Sequence, residues 1–206
     1  MPLSKNVTWS RLPERRSLIR VARSVLPLAA IPIIMLMSAT RATPIPTEGL
    51  TLTARLSTRT LIVRRGSEPV QEYSIAVGSD KHPTPTGSFA IRKIVWNPSW
   101  TPPDREWAKN KRPQEPGHPD NPMKMVKLFF REPDFYIHGT GAVGSLGSAA
   151  SHGCLRMDPE QAGELGLMVM DNGGVSRDWD WVKGILHLGE ERTVNLQRPA
   201  PLTIEP

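Results

Sequence analysis

Seven prolines, Pro98, Pro102, Pro103, Pro113, Pro116, Pro119 and Pro122, fall between Asn97 and Pro122. No long helix or interior strand tolerates that density, because each proline fixes φ and removes a backbone donor. A loop this long inside a compact domain is either functional or disordered. The functional reading makes it a flap walling a substrate groove, with Trp100 or Trp107 on the ligand. The alternative is an ordered surface loop whose tryptophans merely dock it on the core. His118, among the turn residues Gly117, Pro119 and Asp120, is expected at the surface.

The segments around this loop read as strands. Leu50, Leu52, Ala54 and Leu56 alternate with polar positions, Thr60-Leu61-Ile62-Val63 follows a turn, and Arg65-Gly66-Ser67 is a hairpin turn leading to Tyr73, Ile75 and Val77 at period two. Phe89, Ile91, Ile94 and Val95, then residues 126–130 and 135–137, continue the pattern. One main helix is predicted over 159–171, opened by Asp158-Pro159-Glu160-Gln161 as N-cap and first turn and stopped by Asn172-Gly173-Gly174. Residues 179–196 read as a final hairpin with His187 in a strand, and the tail from Pro199 as poorly ordered. This content predicts a mostly β fold, a twisted sandwich or barrel with a helix beside it.

Cys154 is the single cysteine. Free cysteine is usually inert packing, but its neighbours argue otherwise here. Ile137-His138-Gly139 leads through a spacer of Gly, Ala and Ser into Ser151-His152-Gly153-Cys154-Leu155-Arg156-Met157. The small residues offer little bulk to bury a thiol, and they leave backbone N–H groups open to a substrate. A thiol attacks a carbonyl as its thiolate, so it needs a nearby imidazole and main-chain donors for the oxyanion. This stretch can supply them. Zinc is disfavoured, since His-x-Cys lacks the usual two-residue gap and a fourth ligand, so no metal or cofactor is expected. A papain-like hydrolase is disfavoured too, because its histidine would follow the cysteine and only His187 does.

The stretch resembles the signature of the L,D-transpeptidase family, the YkuD-type domain of bacterial cell-wall enzymes: a His-Gly pair, a short spacer, then Ser-His-Gly-Cys and Leu-Arg. Pro83-Thr84-Pro85-Thr86-Gly87, Asn97-Pro98-Ser99-Trp100 and Asn121-Pro122 look like further landmarks, so the resemblance covers roughly residues 50–175. Met123-Lys124 departs from the aliphatic-glycine pair usual there, which bears on the groove near the flap. The resemblance implies a largely antiparallel β fold, Cys154 as nucleophile and His138 as base. From the residues themselves, the N–H groups of His152, Gly153 and Cys154 are the natural oxyanion hole, with His152, Ser151 and Gly139 beside the substrate, and Arg156 is either a salt-bridge residue or, the favoured reading, a partner for a substrate carboxylate. The implied reaction is attack on the third residue of a peptidoglycan stem, release of D-alanine, a thioester, and a 3→3 cross-link with a second stem. Water as acceptor would make an L,D-carboxypeptidase, and a protein amine an anchoring enzyme. A non-catalytic wall-binding module is the remaining alternative, and it requires a buried, unreactive Cys154.

The net charge of +6 does not signal nucleic acid. Residues 1–42 hold seven Lys/Arg against Glu14 alone, so the rest is formally neutral, with no nucleic-acid footprint. That leader has a basic region, an apolar run from Val25 to Ala39 and a small-x-small site at Thr40-Arg41-Ala42, as in a signal peptide that engages the export machinery. Arg15-Arg16 resembles a twin-arginine signal. The rival is an N-terminal membrane anchor, although Ser24 to Thr40 is marginal for a span and contains Pro27 and Pro32. The expected domains are a leader over 1–42, a catalytic domain over 48–198 and a tail over 199–206. The expected location is the periplasm or cell envelope.

Overall fold

The computed structural model describes residues 49–206, and the leader lies outside them. Eight strands and two helices run in the order β1 (Leu50–Arg55), β2 (Thr60–Arg65), β3 (Glu68–Ser74), β4 (Gly87–Trp96), β5 (Lys124–Arg131), β6 (Phe135–Gly139), β7 (Leu155–Met157), α1 (Pro159–Asn172), α2 (Trp179–Leu188) and β8 (Arg192–Glu205). All eight strands join one sheet in the order β3-β2-β1-β8-β4-β5-β6-β7. Most neighbours are antiparallel, but β8 runs parallel to β1 and β7 parallel to β6.

The sheet closes on itself. Ala76, just past β3 at one edge, exchanges two 2.9 Å main-chain hydrogen bonds with Arg156 in β7 at the other. The alternation that predicts the strands is what fills this barrel: Leu50, Leu52 and Ala54 of β1, Leu61 and Val63 of β2, and Ile91 and Ile94 of β4 are all buried. α1 adds Ala162, Leu165, Val169 and Met170 to the same core. Its N-terminus forms as expected, with the Asp158 carboxylate accepting from the N–H groups of Glu160 (2.9 Å) and Gln161 (3.3 Å). Trp96 is fully buried, meets Trp181 edge-on at 5.9 Å between centroids, and sends its indole N–H toward the Met170 sulfur at 3.1 Å.

Two expectations at the C-terminal end are corrected. Residues 179–188 form α2 and not a strand, so His187 is helical. Asp178 caps it by accepting from the Trp181 N–H at 2.9 Å, and Gly189 ends it in the left-handed conformation at φ 67°. Buried Val182 and Ile185 lie at the helical spacing i, i+3. The tail from Pro199 is ordered and central: β8 pairs with β1 on one side and β4 on the other, burying Ala200, Leu202 and Ile204. Pro199 is accommodated because it falls where the β4–β8 register shifts, and a bulge there does not need its missing donor.

Candidate active site

Adjacent strands assemble the site. In β5 and β6 Lys127 faces His138, and in β6 and β7 His138 faces Arg156. Residues paired across neighbouring strands project on one face, so Lys127, His138 and Arg156 form a row across the sheet. Tyr136 and Cys154 each lie two residues before a member of this row, and period two places them on the same face. All five line one cavity of about 1280 Å3, together with Trp100, Trp107, Ser151 and His152.

Cys154 is half-buried. Its thiol donates to the Asp134 carbonyl at 3.2 Å. Burial pushes the thiol up to about 11, against the Tyr136 main-chain N–H and the charges of Arg156 and Lys127, which favour thiolate. His138 is 2% exposed. Its Nδ1 lies 2.8 Å from the Gly139 carbonyl, which can only accept, so Nδ1 carries the proton and Nε2 offers a lone pair. Burial first, then Arg156 and Lys127, push its pKa down to about 3, against the carbonyls of Gly139 and Pro122. At neutral pH the cavity therefore holds a thiol and a neutral imidazole.

The buried imidazole has a stability consequence. The unfolded chain takes up a proton below the ordinary value of 6.5, whereas the folded chain resists it until about pH 3. Through that window the unfolded state binds more protons, so stability falls on acidification by up to about 1.4 kcal/mol per pH unit. Urea unfolding at pH 7.5 and pH 5 is expected to show a larger loss for the wild type than for His138→Gln. Equal losses would mean that the ring is not held neutral.

The loop carrying Cys154 is built by Ser151. The Ser151 hydroxyl donates to the Cys154 carbonyl at 2.6 Å and accepts the Gly153 N–H at 3.0 Å, and its main chain pairs with Val77 and Ser79. Its hydroxyl thus holds the loop closed. The Gly153 N–H is occupied in the same way, while among the described residues the N–H groups of His152 and Cys154 donate to no partner. Gly153 adopts φ 109°, and a Cβ there would press on the Phe135 ring at 2.8 Å.

The spacer differs from the expectation of open N–H groups. Gly147 donates to Ile75 and Val77 to Ser148, so the end of the spacer is tied to residues 75–77, and Thr140, Ser145 and Leu146 donate to Met157, Ala142 and Val143. Gly139 is also internal: a Cβ would overlap the Lys124 carbonyl oxygen and lie 2.9 Å from the Pro159 Cα. It provides strand and helix contact, and it does not line the cavity.

His152 lies between two aromatic rings. Trp107 stacks on it with centroids 3.9 Å apart and planes 19° apart, and His82 tilts against its ring at 4.8 Å. Burial, then His82, Arg156 and Lys111, lower its pKa. The proline-rich segment is thus an ordered wall. Asn121 fastens it by donating to the carbonyls of Pro98 (2.8 Å) and Glu115 (3.0 Å), and Trp100 pairs its main chain with Gln114. Trp107 reaches the site through a short 3-10 turn, Glu106–Ala108. His118 is exposed as expected. Lys124 turns to the Pro119 carbonyl and stays out of the cavity.

Tyr136 and Lys127 escape the sequence reading. Tyr136 meets His138 at 5.5 Å, and its hydroxyl is raised well above the ordinary range, chiefly by burial and then by Cys154. Its signal was available, since Tyr136 and His138 are two apart in one strand. Lys127 had no local signal, because only strand pairing brings it beside His138. Among the described residues neither Lys127 nor Arg156 forms an ion pair.

The family model of the YkuD L,D-transpeptidase catalytic domain matches residues 50–175. A Bacillus licheniformis protein bearing the name L,D-transpeptidase YkuD is 31% identical over 121 residues, 59% of this chain and 61% of its own length. An Escherichia coli K12 protein named as an L,D-transpeptidase, YbiS, is 30% identical over 103 residues, 47% of this chain and 33% of its own length. The chain therefore spans less than two thirds of these relatives. Among solved structures, the avibactam carbamoyl enzyme of Ldtfm has the same fold, with a TM-score of 0.51 at 16% identity over 77% of this chain and 49% of that one.

Proposed function

This chain belongs to the L,D-transpeptidase family with the YkuD-type catalytic domain, and from that premise we propose that it is a cysteine acyltransferase acting on peptidoglycan stem peptides. The observation that supports this most is that His138 of β6, its β7 partner Arg156 and Cys154, two residues before Arg156, line one cavity.

In the proposed reaction the Nε2 of His138 takes the thiol proton as Sγ attacks the carbonyl of the third stem residue. The N–H groups of His152 and Cys154, which donate to no partner among the described residues, receive the oxyanion. The C–N bond to the terminal D-alanine breaks, His138 returns its proton to the departing amine, and a thioester remains on Cys154. An amine from a second stem then loses a proton to His138, attacks the thioester and restores the thiol, leaving a 3→3 cross-link. Arg156, with no acidic partner among the described residues, suits a carboxylate of the stem. His152, fixed between Trp107 and His82, forms part of the groove wall. Since Cys154 starts as a thiol, proton transfer accompanies attack. The leader would export the domain to the periplasm or cell envelope, cleaved as a signal or kept as an anchor.

Mass spectrometry of residues 43–206 incubated with disaccharide-tetrapeptide muropeptides tests this. Loss of D-alanine with dimer formation is the expected result. Loss without dimers would make the protein an L,D-carboxypeptidase, and an unchanged substrate would favour a protein acceptor or a non-catalytic wall module.

A further inference from the structure

Lys127 is costly where it stands. An ammonium group taken partly out of water without a carboxylate partner loses hydration that nothing equivalent replaces. Among the described residues its ammonium makes one hydrogen bond, to the Ser99 carbonyl in the flap at 2.8 Å, and it lies over the Tyr136 ring at 5.2 Å from the centroid. The nearby Glu191 carboxylate is held by the N–H (2.6 Å) and hydroxyl (2.8 Å) of Ser99, and it makes no ion pair with Lys127. Burial lowers the lysine to about 8, so it still carries its charge at neutral pH for most of the time.

Its position gives the charge a direction. Cys154 precedes β7, His138 is in β6 and Lys127 in β5, on successive strands about 4.8 Å apart. An acyl group bonded to Cys154 places the scissile amine toward His138, which must protonate it. The carboxylate of the departing amino acid lies one Cα beyond that amine. Continuing the same direction from β7 through β6 leads to β5. Arg156 lies in β7, two residues after Cys154, and so lies on the acyl side of the bond.

We propose that Lys127 binds the terminal carboxylate of the leaving amino acid, so that thiol, base and ammonium act in turn on the acyl carbon, the departing amine and its carboxylate. This assignment rests on the function proposed above. It makes the protein selective for donor stems with a free terminal carboxylate.

The test uses binding, which is independent of turnover. A stem tetrapeptide ending in a carboxylate and the same peptide ending in a carboxamide are titrated calorimetrically into the Cys154→Ala protein. The carboxylate peptide is expected to bind roughly tenfold more tightly. Adding Lys127→Met is expected to erase that preference, and Lys127→Arg to keep it. In the active protein, Lys127→Met is expected to raise KM for the carboxylate donor with kcat changed much less. Preference retained by a folded Lys127→Met protein would overturn the assignment and leave Lys127 as a tether for the flap. Failure of every variant to bind either peptide would overturn the reading of the site, and this assignment with it.

Discussion

Replacing Cys154 with alanine is expected to lower D-alanine release from tetrapeptide stems by about 10⁴-fold or more, the scale on which loss of an essential nucleophile is felt. The fold should barely respond. Among the described residues the thiol donates one hydrogen bond, to the Asp134 carbonyl, worth about 1 kcal/mol. A variant that melts close to the wild type yet gives no product would separate chemistry from folding. Intact-mass measurement sharpens the result: the wild type mixed with a donor stem should gain the mass of the acyl group, and the alanine variant should not. Residual turnover near the wild-type level would sink the thioester route.

Gly139→Ala is expected to be a costly small change near the site. The added methyl would overlap the Lys124 carbonyl oxygen of β5 and come within 2.9 Å of the Pro159 Cα at the start of α1. Both are backbone, so no side chain can swing away. Either β5 and β6 must separate or α1 must move, and overpacking of this kind costs about 3 kcal/mol. His138 is the adjoining residue and bonds the Gly139 carbonyl, so activity should fall along with the melting temperature. Chemical denaturation and stem turnover on the same preparation check both effects. Unchanged stability would show that the strand and helix yield more easily than their packing indicates.

The period-two strands, the capped start of α1 and the two histidines flanking the Cys154 loop could be read from the chain, because each is a local pattern with a local cause. Residues 179–188 could have been read as a helix, since Asp178 and Gly189 bracket an i, i+3 pair of buried residues, but the run Ile185-Leu186-His187-Leu188 resembles a strand when taken alone. β8 was hidden by Pro199, which sits in a register shift against β4, and by Pro201, which pairs with Ala90 within the ladder. Lys127 was hidden for a similar reason. Its significance arises from a partner eleven residues later in sequence, across a strand pair with its own irregularities. The expectation that the spacer leaves its N–H groups open holds only in part, because Gly147 donates to Ile75 from the far edge of the sheet while Thr140, Ser145, Leu146 and Ser148 donate to nearer carbonyls.

That seam between residues 75–79 and 147–156 is made by main-chain groups, and a zipper of this kind is indifferent to most side chains while strict about spacing. Substitutions in the spacer should be absorbed wherever the backbone angles allow. A single inserted residue should not be, because it would put every donor beyond it out of phase with its acceptor. Mutational drift in this part of the chain is therefore constrained in length more than in identity, and the barrel's closure works as a ruler for the loop that carries its cysteine.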